Sequence, residues 1–375
     1  MPAPSVRPRV VVVGGGVLGT SAAAHLVREG AQVVLITERE LGSGASGRSL
    51  SWLNSFGNLR SPAYHQLRTL GIDRYRTLAA RSPACEFVRF DGGLTWPAAG
   101  EGERFRDHLR HMHAIGYDAI RLQPDEVADW TPGVASSAIS PDGAIFNPGE
   151  GWADLPQLIQ TLADRFRAAG GQVVEHIGPA RVVQDDQRVT GVVTADGDRF
   201  DADAVLLATG PDVPATLDDL GVTVPDATPL ALLVKTRPVA TSLRAVLNTP
   251  RVSLRPTPDG ALVMDSDAAA EQVIGDEHDG YEVKDSTVDD LLAEATAVLD
   301  GHPRLEAECF GVGRKPIPGD GDPVLGAIDQ LPGLSVAFTH SGATLALIAG
   351  ELLAREIVTG TPSPLLASFN ARRFG

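Results

Sequence analysis

Four consecutive valines, Val10 to Val13, run into Gly14-Gly15-Gly16-Val17-Leu18-Gly19, and one helical stretch later the chain reads Thr37-Glu38-Arg39. A β-branched run ahead of a glycine cluster reads as a buried parallel strand. Gly14, Gly16 and Gly19 then satisfy the G-x-G-x-x-G spacing. The first glycine permits a tight turn, the second lets backbone approach a pyrophosphate, and the third lets helix pack close on strand. Residues 20–29 carry Ala, His and Leu on a helical period, and Gly30 closes them as a C-cap. Residues 33–36 form a second strand. Glu38 stands 19 residues past Gly19, where an acid takes a ribose 2′-OH. Strand, glycines, helix, strand and acid in this order predict a dinucleotide site, with Val17, Leu18 and Arg39 beside it, rather than a bland glycine-rich turn.

The 375 residues suggest about two domains, and 43% hydrophobic residues can fill sizeable cores. A net charge of −16 argues against nucleic acid and against an anionic membrane surface as partners; solubility explains it. Lysine is scarce: only Lys235, Lys284 and Lys315. Two cysteines, Cys85 and Cys309, make no disulfide framework and read as free thiols of a reducing cytoplasm. Arg7 and Arg9 before an apolar run mimic a leader peptide, but the glycines interrupt the run and an amphipathic helix follows. No uninterrupted stretch of about 18 apolar residues predicts a membrane span. No feature sets an oligomeric state.

Further along, the small-residue stretch 41–49 reads as a loop, 64–80 as an amphipathic helix, and 85–96, with Gly92-Gly93, as a hairpin. In the helix over 105–116, His108, His111 and His113 do not share one face, so a solvated helix is expected and no metal site. Asp154 is placed to cap a helix over 155–169 with Pro156 in its first turn. Residues 173–175 read as a strand, 180–185 and 189–195 as a hairpin about Asp186-Gln187, and 203–210 as a buried strand ending in a glycine turn. Past Pro211 come β-like segments at 230–237, 251–256 and 261–265, a helix over 289–299, a strand over 335–339 and a long apolar helix over 342–358. Nucleotide-type pieces at the start, middle and end, with β-rich insertions between, predict two interleaved domains: 1–80, 146–225 and 316–375 against 81–145 and 226–315.

Three elements stand together: the Gly14–Gly19 fingerprint with Glu38, the Ala208-Thr209-Gly210 turn, and a C-terminal block reading Gly319-Asp320-Gly321-Asp322-Pro323-Val324-Leu325-Gly326, then Thr339-His340-Ser341-Gly342-Ala343-Thr344-Leu345-Ala346. Together they resemble the D-amino-acid oxidase family of FAD enzymes, whose members include glycine oxidase, sarcosine oxidase and D-amino-acid dehydrogenases. The resemblance spans nearly the whole chain. It implies an α/β fold with a Rossmann-like, glutathione-reductase-type FAD-binding domain interleaved with a β-rich α+β substrate domain. It also implies FAD as the dinucleotide. The second glycine turn and the glycine-led C-terminal helix agree, because a simple nicotinamide dehydrogenase needs neither.

In such a fold Ser46, Gly47, Arg48 and Ser49 offer hydroxyls and a cation to the pyrophosphate. Ala180 passes the adenine through backbone contacts, or is an ordinary strand position. Ala208 and Gly210 close the cofactor turn. Ser341, Gly342, Ala343 and Thr344 present backbone N–H groups at a helix N-terminus, where partial positive charge favours an anionic reduced flavin; packing alone is the alternative for Gly342. The family's substrate-clamping Arg-Pro falls where this chain reads Arg314-Lys315-Pro316. Register from Asp320 favours Lys315, guanidinium geometry favours Arg314, and strand alternation lets one of them inward. His340 suits proton handling near the flavin or is bonded to backbone. Trp52 and Asn54 follow the phosphate loop toward the flavin's substrate face, with a core position as the alternative for Trp52.

Neither the family's flavin-linking cysteine nor its linking histidine has a counterpart, so non-covalent FAD is expected. The lysine that some oxidases of the family use toward oxygen is missing from 260–267. The implied reaction is oxidation of a C–N bond in an amino acid or secondary amine, by hydride transfer to flavin N5, giving an imine that hydrolyses. A flavin monooxygenase or halogenase needs a G-D-A-type strand end that Thr339-His340-Ser341-Gly342 does not supply. A non-catalytic FAD-stabilised binding protein is the third reading.

Overall fold

The computed structural model describes residues 7–55, 61–82, 85–186, 188–276 and 279–375. Its organising element is a six-stranded sheet in the order Val324–Ala327, Leu334–Phe338, Ala204–Leu207, Arg9–Val13, Gln32–Ile36, Gln172–Val174. All neighbours pair in parallel except the first two. Valines of Arg9–Val13 are buried on both faces, as a central parallel strand requires. The expected α/β architecture with a Rossmann-like sheet is thus present.

One face of this sheet carries the helices Val17–Arg28, Leu155–Ala168 and Gly342–Thr359, with Pro62–Arg81 packed outside the last. The contact between Pro62–Arg81 and Gly342–Thr359 is close: a Cβ on Gly71 would stand 2.2 Å from the Thr344 carbonyl oxygen. Asp154 caps the Leu155–Ala168 helix, its Oδ1 accepting from the Gln157 N–H at 3.1 Å. The other face is covered by a three-stranded antiparallel sheet, Ala180–Asp185, Arg188–Thr194 and Arg199–Asp201. The expected hairpin at 180–195 is this pair; Gln187, in its turn, lies outside the described residues.

A second, eight-stranded sheet runs Ala307–Arg314, Leu230–Thr236, Leu262–Asp265, Ser253–Pro256, Val246–Asn248, Gly93–Thr95, Ala144–Asn147, Ile120–Leu122. It packs on the helix Asp285–Val298 around its own core. Its strands come from two separated stretches of chain. Residue 146, the division expected from the sequence, lies inside one of its strands.

The hairpin expected over 85–96 does not form. Val88–Arg89 pairs with Gly151–Ala153, which also pairs with Trp52–Leu53, whereas Gly93–Thr95 joins the eight-stranded sheet. The glycine pair is a close approach rather than a turn between partners. A Cβ on Gly92 would stand 2.3 Å from the Phe146 ring, and one on Gly93 would stand 2.3 Å from Glu150 Oε2.

Candidate active site

The C-terminal ends of the parallel strands open onto one cavity of about 2190 Å³, floored by the first sheet and walled by the second. This is where an open α/β sheet binds ligands, because the strand ends and helix N-termini converge there.

The fingerprint folds as its spacing predicts. Gly14 has φ +114°, its N–H donates to the Ile36 carbonyl at 2.9 Å, and a Cβ there would stand 2.3 Å from the Ala208 carbonyl oxygen. Gly14, Gly16, Val17 and Leu18 border the cavity. Gly19 does not; a Cβ on it would be 2.0 Å from the Gly14 carbonyl oxygen, so it serves helix packing alone. Gly47 likewise lies off the cavity, against the Gly42 carbonyl. Ser46 Oγ accepts from the Val17 N–H at 3.0 Å, tying the 3-10 turn Ala45–Arg48 to the first helix. Glu38 and Arg39 expose their side chains at the cavity rim, and Ala180, Ala208 and Gly210 border it.

Arg48 crosses the strand Ala307–Arg314 where that strand has no side chains. A Cβ on Gly311 or Gly313 would stand 3.1 or 3.3 Å from Arg48 Cδ. Ser49 Oγ accepts from the Ser51 N–H at 3.0 Å, and the Ser51 hydroxyl donates back to the Ser49 carbonyl at 3.0 Å, around a Ser51 φ of +58°. The next carbonyl, that of Leu50, accepts from Nε of Arg255, a buried guanidinium lying 4.9 Å above the Trp152 ring. Burial pushes Arg255 down to about 10.

The long helix Gly342–Thr359 starts at the cavity. Ser341 makes no side-chain cap; its N–H donates to Thr339 Oγ1 at 3.1 Å and its hydroxyl accepts from Tyr64. The first N–H groups of the helix, at Gly342, Ala343 and Thr344, have no carbonyl within the helix to bind, and all three residues border the cavity. Thr209 Oγ1, between Ala208 and Gly210, is buried without a hydrogen-bond partner and also borders it. Two helix N-termini, a glycine cradle a Cβ would fill and an orphaned hydroxyl fit a bound dinucleotide.

Side chains converge at the far end of the cavity. His340 borders it and is exposed to the cavity, though surrounded by protein atoms. Burial first, then the charges of Lys315 and Arg68, push it down to about 4. Trp52 borders the cavity from a strand paired to Trp152. Asn54 is buried; its Nδ2 donates to the Trp52 carbonyl at 3.2 Å, and its N–H donates to Thr344 Oγ1 at 3.4 Å.

Arg314 and Lys315 both border the cavity, against the expectation that only one enters, because the strand ends at Arg314 and alternation ends with it. Arg314 turns to the glycine turn, with Nη1 3.1 Å from Asp212 Oδ1 and Nη2 donating to the Pro211 carbonyl at 2.7 Å. Lys315 Nζ lies 3.5 Å from Asp265 Oδ2 and 3.6 Å from Asp267 Oδ1. Burial raises the Asp265 carboxyl against the lowering effect of Lys315.

Arg68 was not anticipated. It is 9% exposed and borders the cavity, with Nε donating to the Asn54 carbonyl at 2.9 Å and Nη2 to Asn54 Oδ1. The signal was a charged residue on the buried stripe Tyr64, Leu67, Gly71, Ile72, Tyr75 of its helix. Asp265 and Arg255, from the eight-stranded sheet, were also missed. No cysteine borders the cavity among the described residues, and Cys309 is exposed. Among the described residues no cluster can hold a metal, and no helix is long and apolar enough to cross a membrane.

The family described as FAD dependent oxidoreductase (DAO) matches residues 9–356. A glycine oxidase of Bacillus licheniformis is 23% identical over 98% of each chain. Among solved structures, glycine oxidase of Geobacillus kaustophilus superposes with a TM-score of 0.82 at 22% identity, over 97% of this chain and 98% of that one. Iminodiacetate oxidase of Chelativorans sp. BNC1 gives 0.79 at 22% identity, over 96% and 98%.

Proposed function

Because this chain belongs to the FAD dependent oxidoreductase family, we propose that it oxidises a C–N bond of a small amine or amino acid, with FAD held non-covalently in the cavity. The observation that carries this reading is one cavity that joins a dinucleotide cradle to His340, Lys315 and Arg68. The names of the similar proteins, glycine oxidase and iminodiacetate oxidase, support small amino- and imino-acid substrates.

When bound, FAD supplies the acceptor for the hydride leaving the substrate carbon. The chain's residues do the rest. Gly16 and Leu18 would offer the pyrophosphate backbone N–H groups, while Gly14 and Val17, whose N–H groups are bound to the Ile36 carbonyl and Ser46 Oγ, shape the turn beside it; Ser46, Arg48 and Ser49 would add hydroxyls and a charge. Glu38 takes the ribose, Arg39 flanks it, and Ala180 passes the adenine. Ala208 and Gly210 keep the turn low, with the Thr209 hydroxyl available to the cofactor. The N–H groups of Gly342, Ala343 and Thr344 offer partial positive charge to an electron-rich ring edge. Trp52 and Asn54 shape the substrate face.

A substrate amine gives up a hydride only with its nitrogen lone pair free, so a proton must leave the ammonium first. His340, held neutral at pH 7 by burial and by the Lys315 and Arg68 charges, is too weak a base to take that proton, but its ring can hydrogen-bond the substrate nitrogen, so the proton leaves to solvent. In this reading the stretches 1–80, 146–225 and 316–375 hold the cofactor and the rest the substrate. The enzyme works in a cytoplasm that keeps Cys85 and Cys309 reduced.

Acid precipitation of the yellow protein tests the cofactor's attachment, and product analysis tests the reaction. FAD should pass to the supernatant, and incubation with an amine and an electron acceptor should yield the aldehyde or oxo acid of the hydrolysed imine. Colour held in the pellet and lost in Cys309→Ser contradicts the first, and absence of any carbonyl product contradicts the second.

A further inference from the structure

A buried cation stands just behind the cavity wall. Arg255, on the strand Ser253–Pro256 of the eight-stranded sheet, is 3% exposed and does not border the cavity. Its hydrogen bonds end on neutral oxygens: Nε donates to the Leu50 carbonyl, and Nη1 donates to the Pro256 carbonyl at 2.9 Å. Among the described residues no carboxylate lies within ion-pair distance of it. The acid whose charge reaches it is Asp154, which is occupied in capping the helix Leu155–Ala168. The Trp152 ring, 4.9 Å from its central carbon, covers one side. A desolvated guanidinium with no ion-paired acid weakens a fold that gains nothing else from it.

What Arg255 grips is the cavity wall itself. Leu50 stands between Ser49 and Ser51, which close two hydrogen bonds on each other around a Ser51 φ of +58°. Ser49, Leu50, Ser51 and Trp52 all border the cavity. A residue other than glycine keeps a left-handed backbone only where its surroundings hold it there. The serine bonds are local holds. The bond from Arg255 comes from the other sheet, 205 residues along the chain. The strand that continues the loop is fixed to the same group, because Trp52 pairs with Trp152 and Arg255 lies over the Trp152 ring.

We propose that Arg255 is a positioning residue for the cofactor: it holds the loop Ser49–Trp52 in its cavity-lining shape, and its charge is balanced by the negative charge of bound FAD rather than by an acid of the chain. The proposal rests on the FAD part of the functional reading. The FAD diphosphate is an anion, and attraction across a wall of low dielectric is stronger than it would be through water.

The test is binding and stability, with no turnover required. FAD is titrated into stripped wild type, Arg255→Met and Arg255→Lys, and melting temperatures are recorded with and without FAD. Arg255→Met should bind FAD at least tenfold more weakly, and its melting temperature should fall more in the presence of FAD than in its absence. Arg255→Lys, which returns the charge without the planar fork, should recover part of the affinity. The gap between wild type and Arg255→Met should persist in about 1 M salt, because a buried charge is little screened.

An Arg255→Met protein that binds FAD as tightly as wild type overturns the proposal. So does an equal fall in melting temperature with and without FAD, which makes Arg255 a residue of the fold alone. If Arg255→Met does not fold, the same comparison of melting temperatures on Arg255→Lys decides. Wild type that binds no FAD defeats the cofactor reading and the proposal together, whereas wild type that binds FAD without help from Arg255 defeats the proposal alone.

Discussion

The Tyr64 hydroxyl donates to Ser341 Oγ at 2.5 Å, across 277 residues of sequence. This bond joins the helix that carries Arg68 to the residue preceding the helix whose N-terminus faces the cavity. It leaves Ser341 held from outside, so its hydroxyl does not fold back to cap the N–H groups behind it. Tyr64→Phe keeps the ring and removes the donor. It should cost about 1 kcal/mol of stability, the net worth of one such bond, and should weaken FAD binding several-fold as Ser341 turns to its own helix. Urea unfolding and FAD titration of the stripped protein measure the two effects. Unchanged FAD affinity with lowered stability would show the bond to be structural only.

Glu38 is the sharpest test of the nucleotide end. Its carboxylate is exposed at the rim after the second parallel strand, where a ribose hydroxyl is expected. Glu38→Ala should reduce FAD affinity by about 1–3 kcal/mol, the range for a hydrogen bond to a charged group. Isothermal titration of the stripped protein with FAD reads this directly, and an unchanged affinity refutes the assignment.

Acid should destabilise the fold well above the usual carboxylate range. Burial, reinforced by Arg28, pushes His25 down to about 4, and His340 falls to about 4 as well. An unfolded histidine titrates near about 6.5. Between those values the unfolded chain binds more protons than the folded one, so stability falls as pH drops from about 6.5 to about 4. His25→Gln removes one of these contributions and should flatten the dependence. Melting temperatures across that window decide it; an unchanged slope means His25 is protonated in the folded state.

The nucleotide end was legible because local rules and the global fold coincide there. Val10 to Val13, Gly14, Gly19 and Glu38 each sit where a strand–turn–helix–strand unit needs them, and the pattern is contained in about thirty residues. The C-terminal pairing of Asp320-Gly321 with His340 to Thr344 added the resemblance. The far end of the cavity is built differently. Arg68, Asp265, Lys315 and His340 come from four separated segments, and only tertiary packing brings them together. Nothing in the sequence around Lys315 shows that Asp265 and Asp267 lie against it. Gly92-Gly93 misled for a related reason: a glycine pair signals either a turn or a close approach, and Phe146 and Glu150, which decide the matter, lie some fifty residues on.

The central claim, C–N oxidation at a bound FAD, is met most directly by anaerobic mixing of the FAD-loaded protein with glycine, sarcosine, D-alanine, L-proline and benzylamine. The absorbance of the oxidised flavin is followed in each case. The account predicts that at least one amino or imino acid bleaches the flavin without any added reductant, and that benzylamine does so less well. A flavin that stays oxidised with every amine, yet is reduced at once by dithionite, would contradict it.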